Sequence, residues 1–304
     1  MPRLGVRAQT VPVTLRDHDL VAFVGGGSWV AMEKDGSVET LLTLAHLGQH
    51  VRFRNLAWEG DTAAARPREL NFPTLTQQLA ELGITVVFAQ WGVAESTAGE
   101  RGRAAFRAAV ESSVAEIQRQ VPRVVLVTPP PFETKPPPLP DATAANSALA
   151  RYAAELREVA AAKGCGLVDL QEVFSQRVSP EPLTHDGRER TPYGHQRLAA
   201  AWVRALGRAD WAEAAERPGF WTRPDVIRVR EAVRAKNRLW FDSWRPMNWA
   251  FLNGDRTEQL FSRDPVDPKV RRFLAEMEGY GPLLKEAETR VQSAVAQGEW
   301  GGWR

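Results

Sequence analysis

Five short strand-like runs, mostly apolar, recur between Leu20 and Leu170, and no other feature of the 304-residue chain constrains its fold as much. They are Leu20–Val24, Val51–Leu56, Ile84–Gln90, Val124–Val127 and Leu167–Leu170. Strands without a polar face must be buried on both sides, so the pattern predicts an α/β fold with a parallel sheet between helical layers. The intervening helices are expected over Val38–Leu47, Leu75–Leu82, Ala104–Val121 and Ala144–Ala162, where apolar residues recur at helical spacing. Sheets of this kind bind ligands beyond the carboxyl ends of their strands.

Seven prolines fall within Thr128–Asp141, which excludes helix and ladder there and predicts an ordered loop after the fourth run. Beyond about Gly207 the strand signals cease. Helical spacing returns in Asp225–Trp244, Pro268–Glu278 and Pro282–Ala296, so the last third is expected to be an all-helical extension. The expected organisation is an N-terminal arm over 1–12, an α/β domain over 13–207 and the extension over 208–304. Eight of the 11 tryptophans lie from Trp202 onward, so the two parts differ in chemistry as well. A net charge of +2 is too small for the whole chain to imply nucleic acid or an anionic membrane. Cys165, the single cysteine, cannot form an internal disulfide and reads as a small core residue. The chain has no apolar stretch of the roughly 18 residues that a membrane span needs, and its start lacks the apolar core of a signal peptide. A soluble protein is expected, cytoplasmic by default, although a processed exported form would read the same.

Four loops, Phe23–Ser28, Asn55–Thr62, Trp91–Ser96 and Thr184–His195, lie where such a sheet gathers its strand ends. In this order they resemble the four sequence blocks of the SGNH/GDSL hydrolase (esterase/lipase) family, closest to a divergent planctomycete-type branch whose members continue into a helical tail like Ala232–Asn248. The resemblance implies a flavodoxin-like three-layer α/β/α domain, no cofactor or metal, and serine-dependent ester hydrolysis. It also implies that this chemistry is damaged. The family nucleophile follows Gly-Asp at the end of the first strand; Gly27 holds that place, and Ser28 comes one residue late. Gly60 matches the glycine whose amide helps to bind the oxyanion. Ala94 replaces the oxyanion-binding Asn, Asp186 fits the Asp of the last block, and Glu189 stands where the family has His.

A serine hydroxyl is a poor nucleophile unless a base within hydrogen-bond reach takes its proton. Losing the Ser or His of a triad costs on the order of 10⁶ in turnover, and one oxyanion donor roughly 10²–10³. Glu189, with a reference pKa near 4.3 and Arg188 and Arg190 beside it, is a weak base. The expectation is a family member that has lost esterase activity and acts by binding or assembly. The competing reading is an active ester hydrolase or carbohydrate deacetylase using Ser28 and Asp186 with a non-standard base. Against it, Ser28 reads as the cap of the following helix. Trp29, Trp58 and Trp91 are expected on the rim of a cleft that would take a glycan or acyl ester. From Arg223 to Arg245 there are seven Lys/Arg and three Asp/Glu. With Trp240, Trp244 and Trp249 this stretch either packs the tail on the sheet domain or faces a protein partner or second copy. Nucleic-acid binding by the basic helix is a weaker alternative. His46 and His50, four apart, and Asp17-His18-Asp19 lack a full ligand set, so no metal site is expected, and His195 is expected to pack.

Overall fold

The computed structural model describes residues 13–175 and 181–301; the arm over 1–12 lies outside them. Strands β1 (Leu20–Gly25), β2 (Arg52–Asn55), β3 (Val86–Gln90), β4 (Val124–Thr128) and β5 (Gly166–Asp169) form one parallel sheet in the order β2-β1-β3-β4-β5. Each arises from one of the five runs. Helices α1 (Gly27–Asp35), α2 (Ser37–Ala45), α3 (Leu75–Leu82), α4 (Arg103–Gln118), α5 (Thr143–Ala162) and α6 (Leu170–Ser175) alternate with them. After α7 (Pro192–Ala205), the described residues form helices α8 (Ala209–Glu216), α9 (Pro224–Trp244), α10 (Trp249–Leu252), α11 (Arg272–Glu278) and α12 (Tyr280–Ala296), joined by turns, short 3-10 segments and one isolated antiparallel bridge between Arg263 and Arg271. Two expected helices differ. A helix precedes the predicted Val38–Leu47 segment, and Gly36 at φ 79° separates the two. Of Pro268–Glu278 only α11 forms, because Asp264 accepts hydrogen bonds from the Val266 and Asp267 amides and holds the preceding chain in a turn.

Alternation along each strand sends its side chains into two cores. Val21 and Phe23 join Phe53, Phe88, Val125 and Val127 under α2, α7 and α8, whereas Leu20, Ala22 and Val24 join Val87, Ala89 and Leu126 under α3, α4 and α5. Phe23 stacks on Phe53 at 5.8 Å and meets Trp29 and Trp202 edge-on at 5.4 and 5.8 Å. Val226, Val229 and Val233 of α9 and Val291 and Ala294 of α12 belong to this same cluster, so the C-terminal helices close a core that the sheet opens.

Polar contacts fix α9 along the edge strand β2. Lys236 Nζ donates to the Phe53 carbonyl at 3.2 Å and pairs with Glu39 at 2.7 Å, and Trp240 Nε1 donates to the Asn55 carbonyl at 2.7 Å. Arg230 pairs with Asp35 at 2.8 Å, and Glu288 of α12 with Arg54 at 2.5 Å. Asn237 Nδ2 donates to the carbonyl of Glu33, whose own side chain is trapped beneath α9 with Oε1 unpartnered. Burial pushes the Glu33 carboxyl from its usual 4.5 up to about 8, although Lys236 nearby opposes the shift. The folded state therefore holds this proton more tightly than the unfolded chain does. The stability it contributes is complete below about pH 4.5 and is lost as pH climbs toward about 8. Glu33→Gln should flatten that part of the pH profile and exceed the parent by about 1 kcal/mol or more near pH 9, read from urea midpoints at several pH values.

Candidate active site at the carboxyl ends of the strands

Gly25 ends β1 against β3 so closely that a Cβ there would lie 2.6 Å from the Gln90 carbonyl oxygen; only glycine allows that approach. The next residue, Gly26, caps α1 without a side-chain hydrogen bond. Ser28 is thus not the cap that the sequence suggests. It sits inside the first turn, exposed, and its Oγ donates to Gln90 Oε1 at 3.1 Å. Gln90 is held in turn through Nε2 by the Thr128 carbonyl at 3.4 Å. Thr128 Oγ1 donates to Asp169 Oδ1 at 2.8 Å, and Arg157 grips both oxygens of Asp169 at 2.5 and 2.9 Å. A row of mutually satisfied polar groups therefore runs across the ends of β3, β4 and β5. Burial works against the Asp169 charge, yet the Arg157 and Thr128 hydrogen bonds hold its carboxyl below the usual range.

The second loop folds over Gly27. A Cβ built there would stand 3.7 Å from Glu59 Cα and 3.8 Å from Glu59 Cγ, so a small side chain would fit. The Glu59 carboxylate pairs with Arg245 at 2.8 Å, just beyond the end of α9. That guanidinium lies 3.9 Å from the ring centre of Trp58, and a second one, Arg68, lies 4.4 Å from it while binding both oxygens of Asp61 at 2.6 and 2.8 Å. Trp244 meets Trp58 edge-on at 5.6 Å, and Trp249 packs on Phe72 at 4.7 Å. Trp240, Trp244 and Trp249 thus anchor the tail on the α/β part of the chain.

This arrangement corrects the expected rim. Trp58 is half-buried beneath Arg245. Trp29 follows the exposed Ser28 by a third of a helical turn and is buried against Phe23 and Trp202. Trp91 continues the alternation of Val87 and Ala89 into the opposite core, where it too is buried.

Among the described residues, none of the remaining predicted residues hydrogen-bonds to Ser28. Ala94 is exposed, and its neighbour Glu95 accepts from the amides of Ala63 and Gly92 at 2.9 and 2.8 Å, tying the second and third loops together. Gly60 is exposed, and among the described residues its amide donates to no acceptor. Asp186 accepts from the Arg188 and Glu189 amides of its own turn at 2.8 and 2.7 Å, which hold its carboxyl below the usual range. Glu189 is exposed and makes no hydrogen bond to Ser28. Their loop is fastened elsewhere: Glu133 of the proline-rich loop accepts from the Leu183 and Thr184 amides at 3.0 and 2.7 Å. His195 is buried, with Nδ1 unpartnered. Burial pushes its imidazole below the usual range against the pull of Asp35, which closes α1 seven residues after Ser28, about 10 Å along the axis. His46 is buried on the Leu42 carbonyl at 2.8 Å, and burial pushes the Cys165 thiol up to about 11, which makes it inert.

The model of the GDSL-like lipase/acylhydrolase family matches residues 26–197, more than half of the chain. The chain belongs to that family. Among solved structures, a gut microbial diltiazem-metabolizing enzyme shares 13% identity at a TM-score of 0.57, covering 95% of this chain and 96% of that one. Its likeness in fold therefore extends through the C-terminal helices. A lipase/acylhydrolase from Enterococcus faecalis shares 19% identity over 63% of this chain and 96% of its own, with a TM-score of 0.45. An acetylxylan esterase from Geobacillus stearothermophilus shares 18% over 63% of this chain and 95% of its own, also with a TM-score of 0.45. No curated protein matches the sequence.

Gln90, Glu59 and Arg245 shape the site without having been singled out in the sequence. Gln90, Thr128 and Asp169 each end an otherwise apolar strand, which is the signal that could have found them. Arg245 carries no such mark. Its removal should nevertheless be felt at the site: Arg245→Ala should destabilise the local closed state by about 1–3 kcal/mol. Hydrogen exchange should then quicken over residues 57–61 while the strand cores stay protected.

Proposed function

We propose that this chain is a non-hydrolytic member of the GDSL-like family that acts by binding or assembly. The hydrogen bond from Ser28 Oγ to Gln90 carries the reading. An amide oxygen accepts a hydrogen bond but takes up no proton near neutral pH, so the serine nearest the nucleophile position lacks a base. Gly27 offers no hydroxyl, Ala94 no oxyanion donor, and Glu189 no bond to Ser28. The cleft ligand we favour is polar, a glycan or acyl ester, because a cavity of about 320 Å³ beside the second loop is lined by Asp61, Arg66, Arg68 and Gln78.

For a protein partner we favour the exposed apolar side chains of Met247, Leu260, Phe261 and Val266 over the tail tryptophans, which are engaged within the chain. The local basic excess lends little to nucleic-acid binding, since Arg223, Arg230, Lys236 and Arg245 pair with Asp225, Asp35, Glu39 and Glu59. A fluorophosphonate probe and a short-chain nitrophenyl ester test the central point. We expect no labelling of the parent and turnover no higher than that of Ser28→Ala. Labelling that disappears in Ser28→Ala would establish a displaced nucleophile and overturn the reading.

A further inference from the structure

At the opposite end of the sheet, about 20 Å from Gly25 along β1, two loops bring Asp17, His18 and His50 together. Asp17 and His18 precede β1, and His50 precedes β2. The parallel register Leu20↔Arg52 therefore sets their spacing, and the His18 amide donates to the Gln49 carbonyl at 2.8 Å to join the loops. His50 Nδ1 lies 3.1 Å from Asp17 Oδ1, and His18 Nε2 lies 3.6 Å from Asp17 Oδ2. All three ligand atoms fall within 4.8 Å of one another. Ligands about 2.0–2.1 Å from a tetrahedral zinc ion stand roughly 3.3 Å apart, so these edges already approach the size of a coordination face. The imidazole rings stack at 5.1 Å, 13° from parallel. Both histidines hold positive φ, 61° and 47°, a region that non-glycine residues rarely enter.

Asp19 is committed elsewhere, to Arg123 at 2.7 and 2.9 Å and to Thr85 at 2.7 Å, and so leaves the three-residue set as it stands. A cavity of about 550 Å³ reaches from His18 and His50 to Arg52, Arg54 and Lys285 and gives the remaining coordination positions access to water. We propose that Asp17, His18 and His50 form a binding site for a borderline divalent transition-metal ion such as Zn²⁺ or Co²⁺. Two imidazoles with one carboxylate suit such ions, whereas Mg²⁺ and Ca²⁺ favour all-oxygen sets.

Full-length protein without an affinity tag should be titrated with ZnCl₂ by calorimetry and with CoCl₂ by visible absorption. One ion per chain should bind, with cobalt d–d bands, while MgCl₂ gives no binding. His18→Asn and His50→Asn are the informative variants, because asparagine tolerates positive φ and so preserves the turns. With melting temperatures unchanged in the absence of metal, each should weaken zinc binding at least about tenfold, the lower end of the loss expected when a contact at a metal site is removed. No stoichiometric binding by the parent, or equal affinity in both Asn variants, would overturn the assignment.

Discussion

Side chains of α9 close the open edge of the sheet, and the shape of the candidate site depends on that closure. Arg52 and Leu56 donate inward from the β2 segment to the carbonyls of Asp19 and Phe23. In a parallel ladder this turns residues 53 and 55 outward. An uncovered outward row is a template for pairing with another chain. Here Lys236 and Trp240 fill the Phe53 and Asn55 carbonyls instead. Once those contacts set the height and rotation of α9, Trp244 and Arg245 at its end must fall over Trp58 and Glu59, and Glu59 over Gly27. The tail is thus part of the site through the backbone of the strand that leads into the second of the family's blocks, with Trp240 bound to Asn55, where the two meet.

The layered fold was legible because burial on two faces leaves a period in the sequence that nothing else produces, and Leu75–Leu82 was read to the residue. Gly36 was harder. Its role is a break between two helices on one face, and a single glycine within a helical pattern does not announce whether it interrupts the helix. The site was legible only as a set of departures from a pattern: Gly27, Ala94 and Glu189 were visible as identities. Their consequences were not, since the partner of Ser28 lies 62 residues away at the end of another strand. Register and strand order decide that pairing. Trp29 and Trp91 lie beside loops in sequence yet face inward, Trp29 by helical rotation from Ser28 and Trp91 by alternation beyond β3, because nearness to a loop says nothing about which face a side chain takes.

The carboxyl ends of the strands carry polar groups whose charges are already answered. Sites built for proton transfer leave a titratable group poised near neutral pH, by burial or by a like charge, and within reach of the reacting atom. Asp169 has Arg157 and Thr128 to hold it ionised, and Glu59 is held below the usual range by Arg245 against the opposing effect of burial. The carboxyl pushed to about 8 is that of Glu33, which lies under α9 in the grip of helix packing and not at the strand ends. His195 is driven the other way, toward a neutral imidazole, inside α7. Beside the nucleophile turn, burial pushes the Asp61 carboxyl up, but Arg68 grips both of its oxygens. Ser28 meanwhile donates to an amide oxygen that takes up no proton, and this engagement of the groups around the turn adds to the case for the binding role proposed above.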